Sequence, residues 1–167
     1  MIEGSDAVIC VLGHVSGSPN NLMQKSIENI ISAMKVNSMF EFLVYEIQEH
    51  HVSRLVYLTG TAIDDPEDGK GSFSRTFAIG LFKAFAAKIA NDHQAAHNYV
   101  RSNAEGIQWI NTRPPRLTKK PKTGNYKVKS FAPIGLGSSL SYPDLADFML
   151  SCVGNDDWVN KSPVVYS

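Results

Sequence analysis

The chain has 167 residues, 43% of them hydrophobic, and equal numbers of acidic and basic side chains, 16 of each. That length is enough to bury a real core in a single domain. The balanced charge argues against a nucleic-acid or membrane-surface role, either of which needs a net basic face.

No apolar run approaches the ~20 residues of a membrane span, and the N-terminus lacks a basic stretch followed by an apolar one. The two cysteines, Cys10 and Cys152, read as buried thiols of a reducing compartment, so a cytoplasmic location is expected. Residues 6–13, DAVICVLG, form a continuous apolar run ending in glycine, the pattern of a buried parallel strand. Ser18 and Pro19 then offer an N-cap and a proline at the first helical position. Behind them Leu22, Ile27, Ile30, Ile31 and Met34 recur at helical spacing.

Residues 36–48, VNSMFEFLVYEIQ, carry Phe40, Leu43, Val44 and Ile47 at that same spacing. They predict an extension of the helix by about three turns. Residues 54–59, RLVYLT, are a second buried strand, broken by Gly60. The acidic stretch 64–71, DDPEDGKG, fails the EF-hand spacing and reads as a flexible substrate lid. A helix over 73–89 follows, with 92–102 as its continuation or a second helix. His93 and His97 stand four apart there, a geometry able to hold a metal, but no third ligand is evident and no metal is expected. Residues 107–112 are the third strand. Strands alternating with helices predict an α/β fold with a mainly parallel sheet.

The third strand runs into Arg113-Pro114-Pro115-Arg116. Two consecutive prolines neither continue a ladder nor start a helix, so the chain must leave the sheet at Arg113. A rigid cationic corner at a strand end suits the carboxyl edge of an α/β sheet, where such folds bind ligands; a plain surface loop is the alternative. A basic turn then closes on Thr123-Gly124 before another strand. Lys119, Lys120, Lys122, Lys127 and Lys129 read as a solvated loop, and Tyr99, Trp109 and Trp158 as packing residues.

Taken in order, these segments resemble the C-terminal two thirds of an atypical short-chain dehydrogenase/reductase. The likeness is to the NAD(P)-binding group that includes flavin reductase/biliverdin-IXβ reductase. It is carried by GSDAVICVLG, SIENIISAMK, VSRLVYLTG, ANDHQAAHNYVRS, RPPRL…KTGNYKV and SYPDLADFMLSCVGNDDWVNKSP. In the last of these Ser141 caps a helix, Pro143 lies near its first turn, and Asp144, Leu145, Asp147 and Phe148 follow the family's pattern. The resemblance implies an incomplete Rossmann-like parallel sheet flanked by helices, with residues 1–167 as the C-terminal portion of one NAD(P)-binding domain. It also implies NADP or NAD as cofactor and a small-molecule substrate.

Family members begin with a strand, a glycine-rich turn and a helix, and none of these precedes Met1-Ile2-Glu3-Gly4. On the order of 60 residues of the family pattern are expected ahead of this start, at about 30 per βαβ unit. Without the first strand beside it, the run Val8, Ile9, Cys10, Val11, Leu12 becomes an uncharged edge, and self-association through it is expected. Residues 36–48 also depart from the family, which joins helix and strand by a short turn. They read either as a retained intron, since valine codons begin GT and glutamine codons can end AG, or as an interaction helix.

The resemblance places three strand ends around the cofactor. Leu12, Gly13 and His14 would lie on the adenosine or ribose side. Thr59 and Gly60, with the Thr61 hydroxyl as the catalytic candidate, would meet the nicotinamide ribose or carboxamide. Arg113, Pro114, Pro115 and Arg116 would wall the nicotinamide ring. Read without the family, Gly13 and Gly60 are simple strand exits. No tyrosine here has lysine four positions later, so the acid–base pair of ordinary short-chain dehydrogenases is missing, as it is in the flavin reductase-like group. The expected function is therefore NAD(P)H-dependent reduction. A dinucleotide-sensing regulator of the NmrA-like kind and an inactive truncated product are the alternatives.

Overall fold

A computed structural model describes residues 5–43, 52–69, 73–132, 134–135 and 137–167. Three strands, β1 (Ala7–Cys10), β2 (Arg54–Leu58) and β3 (Gln108–Thr112), form a parallel sheet in that order. Helices α1 (Leu22–Leu43) and α2 (Phe73–Asn103) connect them, which makes the architecture an α/β, Rossmann-like sheet flanked by helices. β4 (Arg116–Thr118) pairs in parallel with β6 (Ser139–Ser141), and β5 (Lys127–Lys129) antiparallel with β7 (Val164–Tyr166). Parallel bridges from Ile110 to Lys161 and from Arg113 to Val164 lay the C-terminal segment along β3. A third helix, α3 (Tyr142–Ser151), covers the opposite face.

Alternate residues of β2 point to opposite sides, and both sides are buried, as expected of a central parallel strand. Leu55 and Tyr57 pack with Met23, Ile27 and Ile31 of α1 and Ala96 and Val100 of α2. Val56 joins Ile110, Leu140, Leu145, Phe148 and Met149 on the α3 side. Both cysteines are buried free thiols, and burial pushes Cys152 up to about 11. Among the described residues no helix is long and apolar enough to cross a membrane.

Three local expectations need correction. The strand over 6–13 is shorter, Ala7–Cys10, so of the expected edge run Val8 to Leu12 only Val8, Ile9 and Cys10 lie in β1, the outer strand, while Val11 and Leu12 are exposed beyond it. Second, α1 starts at Leu22, and Ser18 does not cap it: its hydroxyl accepts the Val15 N–H within a turn. The cap comes instead from α2, where the Asp92 carboxylate accepts the N–H groups of Met23 (2.7 Å) and Gln24 (3.0 Å). Third, α2 is two helices joined across a kink, one of the two readings of the sequence, but Ala86 leaves helical geometry (φ −131°, ψ 35°), so the break falls before Ile89 rather than after it. α1 does extend past Lys35, to Leu43; the rest of the predicted extension, with Val44 and Ile47, lies outside the described residues.

Candidate functional site

β2 and β3 end side by side, and the Thr59 N–H donates to the Thr112 carbonyl at 3.1 Å. Beyond that bond the two chains part. One continues through Thr59, Gly60 and Thr61, the other through Pro114, Pro115 and Arg116. The proline pair stops the ladder after Arg113, whose N–H still reaches the Pro163 carbonyl at 2.9 Å. A cavity of about 430 Å³ lies between these loops, at the carboxyl end of the sheet. Leu58, Ile63, Phe82, Pro114, Pro115, Leu117 and Ile134 make most of its wall apolar, while Thr59, Thr61, His93, Arg116 and Ser138 supply polar groups. A Cβ placed on Gly60 would meet the Pro114 carbonyl oxygen at 3.8 Å, ordinary contact, so packing alone does not require glycine there.

Of the residues singled out in the sequence, Thr59, Gly60, Thr61, Pro114, Pro115 and Arg116 come together on this cavity. Leu12 and Gly13 lie apart from it on an exposed loop. His14 is tied inward, its Nε2 2.7 Å from Asp92 Oδ2. Arg113 lies beneath the site rather than on its wall. It is 1% exposed, its Nη1 and Nη2 grip both oxygens of Asp68 at 2.8 and 2.6 Å, and Nε donates to the Ser162 carbonyl at 2.7 Å. A guanidinium so engaged is a structural clamp, not a ligand contact.

The same clamp corrects the reading of the acidic stretch as a flexible lid. Asp68 is held by Arg113, Asp65 by His97 Nε2 at 2.9 Å, and the Asp64 N–H by Gln94 at 2.6 Å. Residues 64–68 are therefore pinned to β3 and α2, and residues 70–72 lie outside the described residues. His97 is the buried centre of this arrangement. Its Nδ1 lies 2.8 Å from the Tyr57 hydroxyl and 3.2 Å from Asn111 Nδ2. Both of its nitrogens are engaged, so it does not pair with His93 around a metal.

His93 is the residue that the sequence left without a role at this site. It lines the cavity, and its buried Nε2 has no hydrogen-bond partner. Burial, reinforced by the nearby His14, lowers its pKa against the opposing pull of Asp92 and a hydrogen bond to the Thr59 backbone. The available signal was its place among the apolar residues Ala90, Ala96 and Val100 on the buried stripe of α2. A polar residue on such a stripe marks either a satisfied core group or a site.

A family model described as NAD(P)H-binding matches residues 1–156. The chain belongs to the NAD(P)H-binding family. Solved structures with the same fold include the oxidoreductase ylbE from Lactococcus lactis, at 18% identity and a TM-score of 0.66 over 99% of this chain and 64% of that one. A Rossmann-fold NAD(P)-binding family protein from Shigella flexneri superposes at 16% identity and TM-score 0.59, over 98% of this chain and 61% of its own. A short-chain dehydrogenase/reductase (wide type) from Veillonella parvula, solved with NADP, matches at 12% identity and TM-score 0.61, over 99% and 64%. This NAD(P)H-binding chain thus spans less than two thirds of the length of these proteins, and at such identities the likeness is one of fold.

NAD or NADP is the cofactor of this family, and the lining of this cavity is compatible with a flat ring. The wall is mostly apolar, and the unpartnered His93 Nε2 is available to a polar group placed in the cavity. The N-terminus of α1 does not suit a phosphate, because Asp92 already occupies its N–H groups with a negative charge.

Proposed function

We propose that the protein is an NAD(P)H-dependent oxidoreductase of the atypical short-chain dehydrogenase class, reducing a flat or carbonyl-bearing acceptor. The observation that supports this reading is the cavity itself. An apolar chamber opens at the carboxyl ends of two adjacent parallel strands, lined by Pro114 and Pro115 on one side and by Thr59 and Thr61 on the other. When bound, a reduced nicotinamide supplies the hydride. The chain's own residues seat the ring against the proline wall, exclude water with Leu58, Ile63 and Phe82, and orient the acceptor. Thr61, on the rim of the same loop, hydrogen-bonds the acceptor oxygen, and the proton that completes the reduction comes from solvent at the cavity mouth. Arg116 is exposed at the mouth, and it meets an anionic group of the acceptor or of the cofactor.

The test is calorimetric titration of the full chain with NADPH and NADH, followed by oxidation assays with quinones, flavins and aldehydes. Saturable binding with loss of the reduced nicotinamide absorbance supports the reading, and no binding overturns it. Binding without turnover over that acceptor panel would favour the NmrA-like sensor instead.

A further inference from the structure

One arginine on the cavity has no counter-charge. Arg54 is paired with Asp156, Arg101 with Asp65 and Glu67, and Arg113 with Asp68. The exposed guanidinium of Arg116, by contrast, has no ion-pair or hydrogen-bond partner among the described residues. No Asp or Glu lines the cavity, and the sequence holds none from residue 106 to residue 143. Two carboxylates that reach back into that stretch are already engaged. Asp144 accepts the N–H groups of Thr123 and Gly124, and Asp147 pairs with Lys122. His93, the other basic side chain on the wall, is held towards its neutral form by burial. The mouth of the cavity is therefore positive, and no described residue neutralises it.

Ser138 adds a second donor beside it. Residues 135–138 close a tight turn, in which the Ser138 N–H donates to the Gly135 carbonyl and the Gly135 N–H donates to Ser138 Oγ, both at 3.1 Å. The hydroxyl oxygen is thus used as an acceptor, while its own hydrogen goes to no described residue. The register of β4 on β6 sets Arg116 level with Ser139. Ser138 is then one residue along the neighbouring strand, about 6 Å away between Cα atoms at ordinary strand spacing. Both residues line the same cavity. We propose that Arg116 and Ser138 form an oxyanion subsite at the cavity mouth, which takes a carboxylate or phosphate group of a ligand whose apolar body fills the chamber. A guanidinium fork and a hydroxyl fixed by its turn both present donors, which matches a group that only accepts.

The subsite rests on the same cavity as the proposed function, but its test needs no turnover. The probes are naphthalene-2-carboxylate and naphthalene-2-carboxamide, alike in shape and different in charge, titrated into the full chain and followed by their fluorescence. The carboxylate binds about five- to tenfold more tightly, the worth of a charge-assisted contact discounted for exposure, and the gap closes as salt is raised. Arg116→Gln brings the ratio close to one by weakening the carboxylate alone. Ser138→Ala lowers it about threefold, and Ser138→Thr, which keeps the hydroxyl, restores it. Failure of both probes to bind, equal affinities in the parent, or an Arg116→Gln variant that weakens both alike would overturn the subsite. An unchanged ratio in Ser138→Ala would overturn the part given to Ser138. Titration of Arg116→Gln with NADPH identifies the source of the anion: lost affinity marks a phosphate of the dinucleotide, and unchanged affinity a group on the acceptor. A carboxylate preference in a chain that binds no dinucleotide would keep the subsite while overturning the oxidoreductase reading.

Discussion

Asp92 caps a helix to which it does not belong: its carboxylate lies 2.7 Å from the backbone nitrogen of Met23, on α1, while its own backbone is in α2. The same oxygen is 2.7 Å from His14 Nε2. One buried side chain therefore fixes the start of α1, the loop after β1 and the docking of α2. Asp92→Ala is expected to lower stability by about 2–4 kcal/mol, combining a lost cap with an orphaned histidine. Asp92→Asn should recover part of that, because its amide oxygen still caps. Urea unfolding of the two variants against the parent chain measures both.

Arg113 gives a prediction that separates structure from ligand binding. Its bidentate pairing with Asp68 is buried, so Arg113→Ala should cost about 3–5 kcal/mol. Arg113→Lys should rescue little, because a single ammonium cannot reproduce the fork. Thermal unfolding with and without NADPH checks this. If Arg113 touched the cofactor, folded Arg113→Lys protein would lose affinity at unchanged stability.

The lowered pKa of His93 makes stability depend on pH in a definite sense. Its folded pKa lies below the ordinary 6.5, so the unfolded chain takes up the proton first. The contribution is complete above the unfolded value and is lost as pH falls through the folded one. Denaturation midpoints of the parent should therefore decline as pH falls below the ordinary 6.5. His93→Phe should flatten that decline. An unchanged slope would mean that the ring is solvated.

Asp144 acts at lower pH. The Ser141 hydroxyl, 2.6 Å away, is the main cause of its lowered pKa; burial opposes, and the N–H groups of Gly124 and Thr123 add to the effect, bringing it to about 2 from 3.8. A carboxylate so depressed stabilises the fold above 3.8, and that stability is lost as pH falls through about 2. The Thr123-Gly124 turn and the start of α3 should loosen together in that window. Amide exchange of Gly124 followed against pH would show it, and Asp144→Asn should exchange rapidly at every pH.

Thr61 carries the prediction on turnover. Thr61→Val should lower kcat by about tenfold to a hundredfold, with NADPH affinity unchanged, because its hydroxyl is assigned to the acceptor. Steady-state rates together with calorimetry separate the two effects. A matching loss of affinity would move Thr61 to the cofactor.

Features that depend on neighbours a few residues away were legible from the order of residues. The apolar run of β2 and the helical spacing behind Leu22 specified buried parallel strands and an amphipathic helix. Ser141 capped α3 as read, because its acceptor and the Asp144 N–H are three residues apart. The double proline at 114 and 115 ended β3 because it lacks the N–H groups a ladder needs. Tertiary structure alone decided the partners of the charged and polar groups. Ser18 has the right chemistry for a cap, yet Asp92, 69 residues from Met23, holds that place. Arg113 looked like a ligand contact until Asp68, 45 residues away, closed on it. His93 and His97 share a helix face, but one opens onto the cavity while the other is enclosed by Tyr57, Asp65 and Asn111. The physical reason is common to these cases: backbone propensity acts locally, whereas a buried polar side chain takes whichever partner the packed chain brings within about 3 Å.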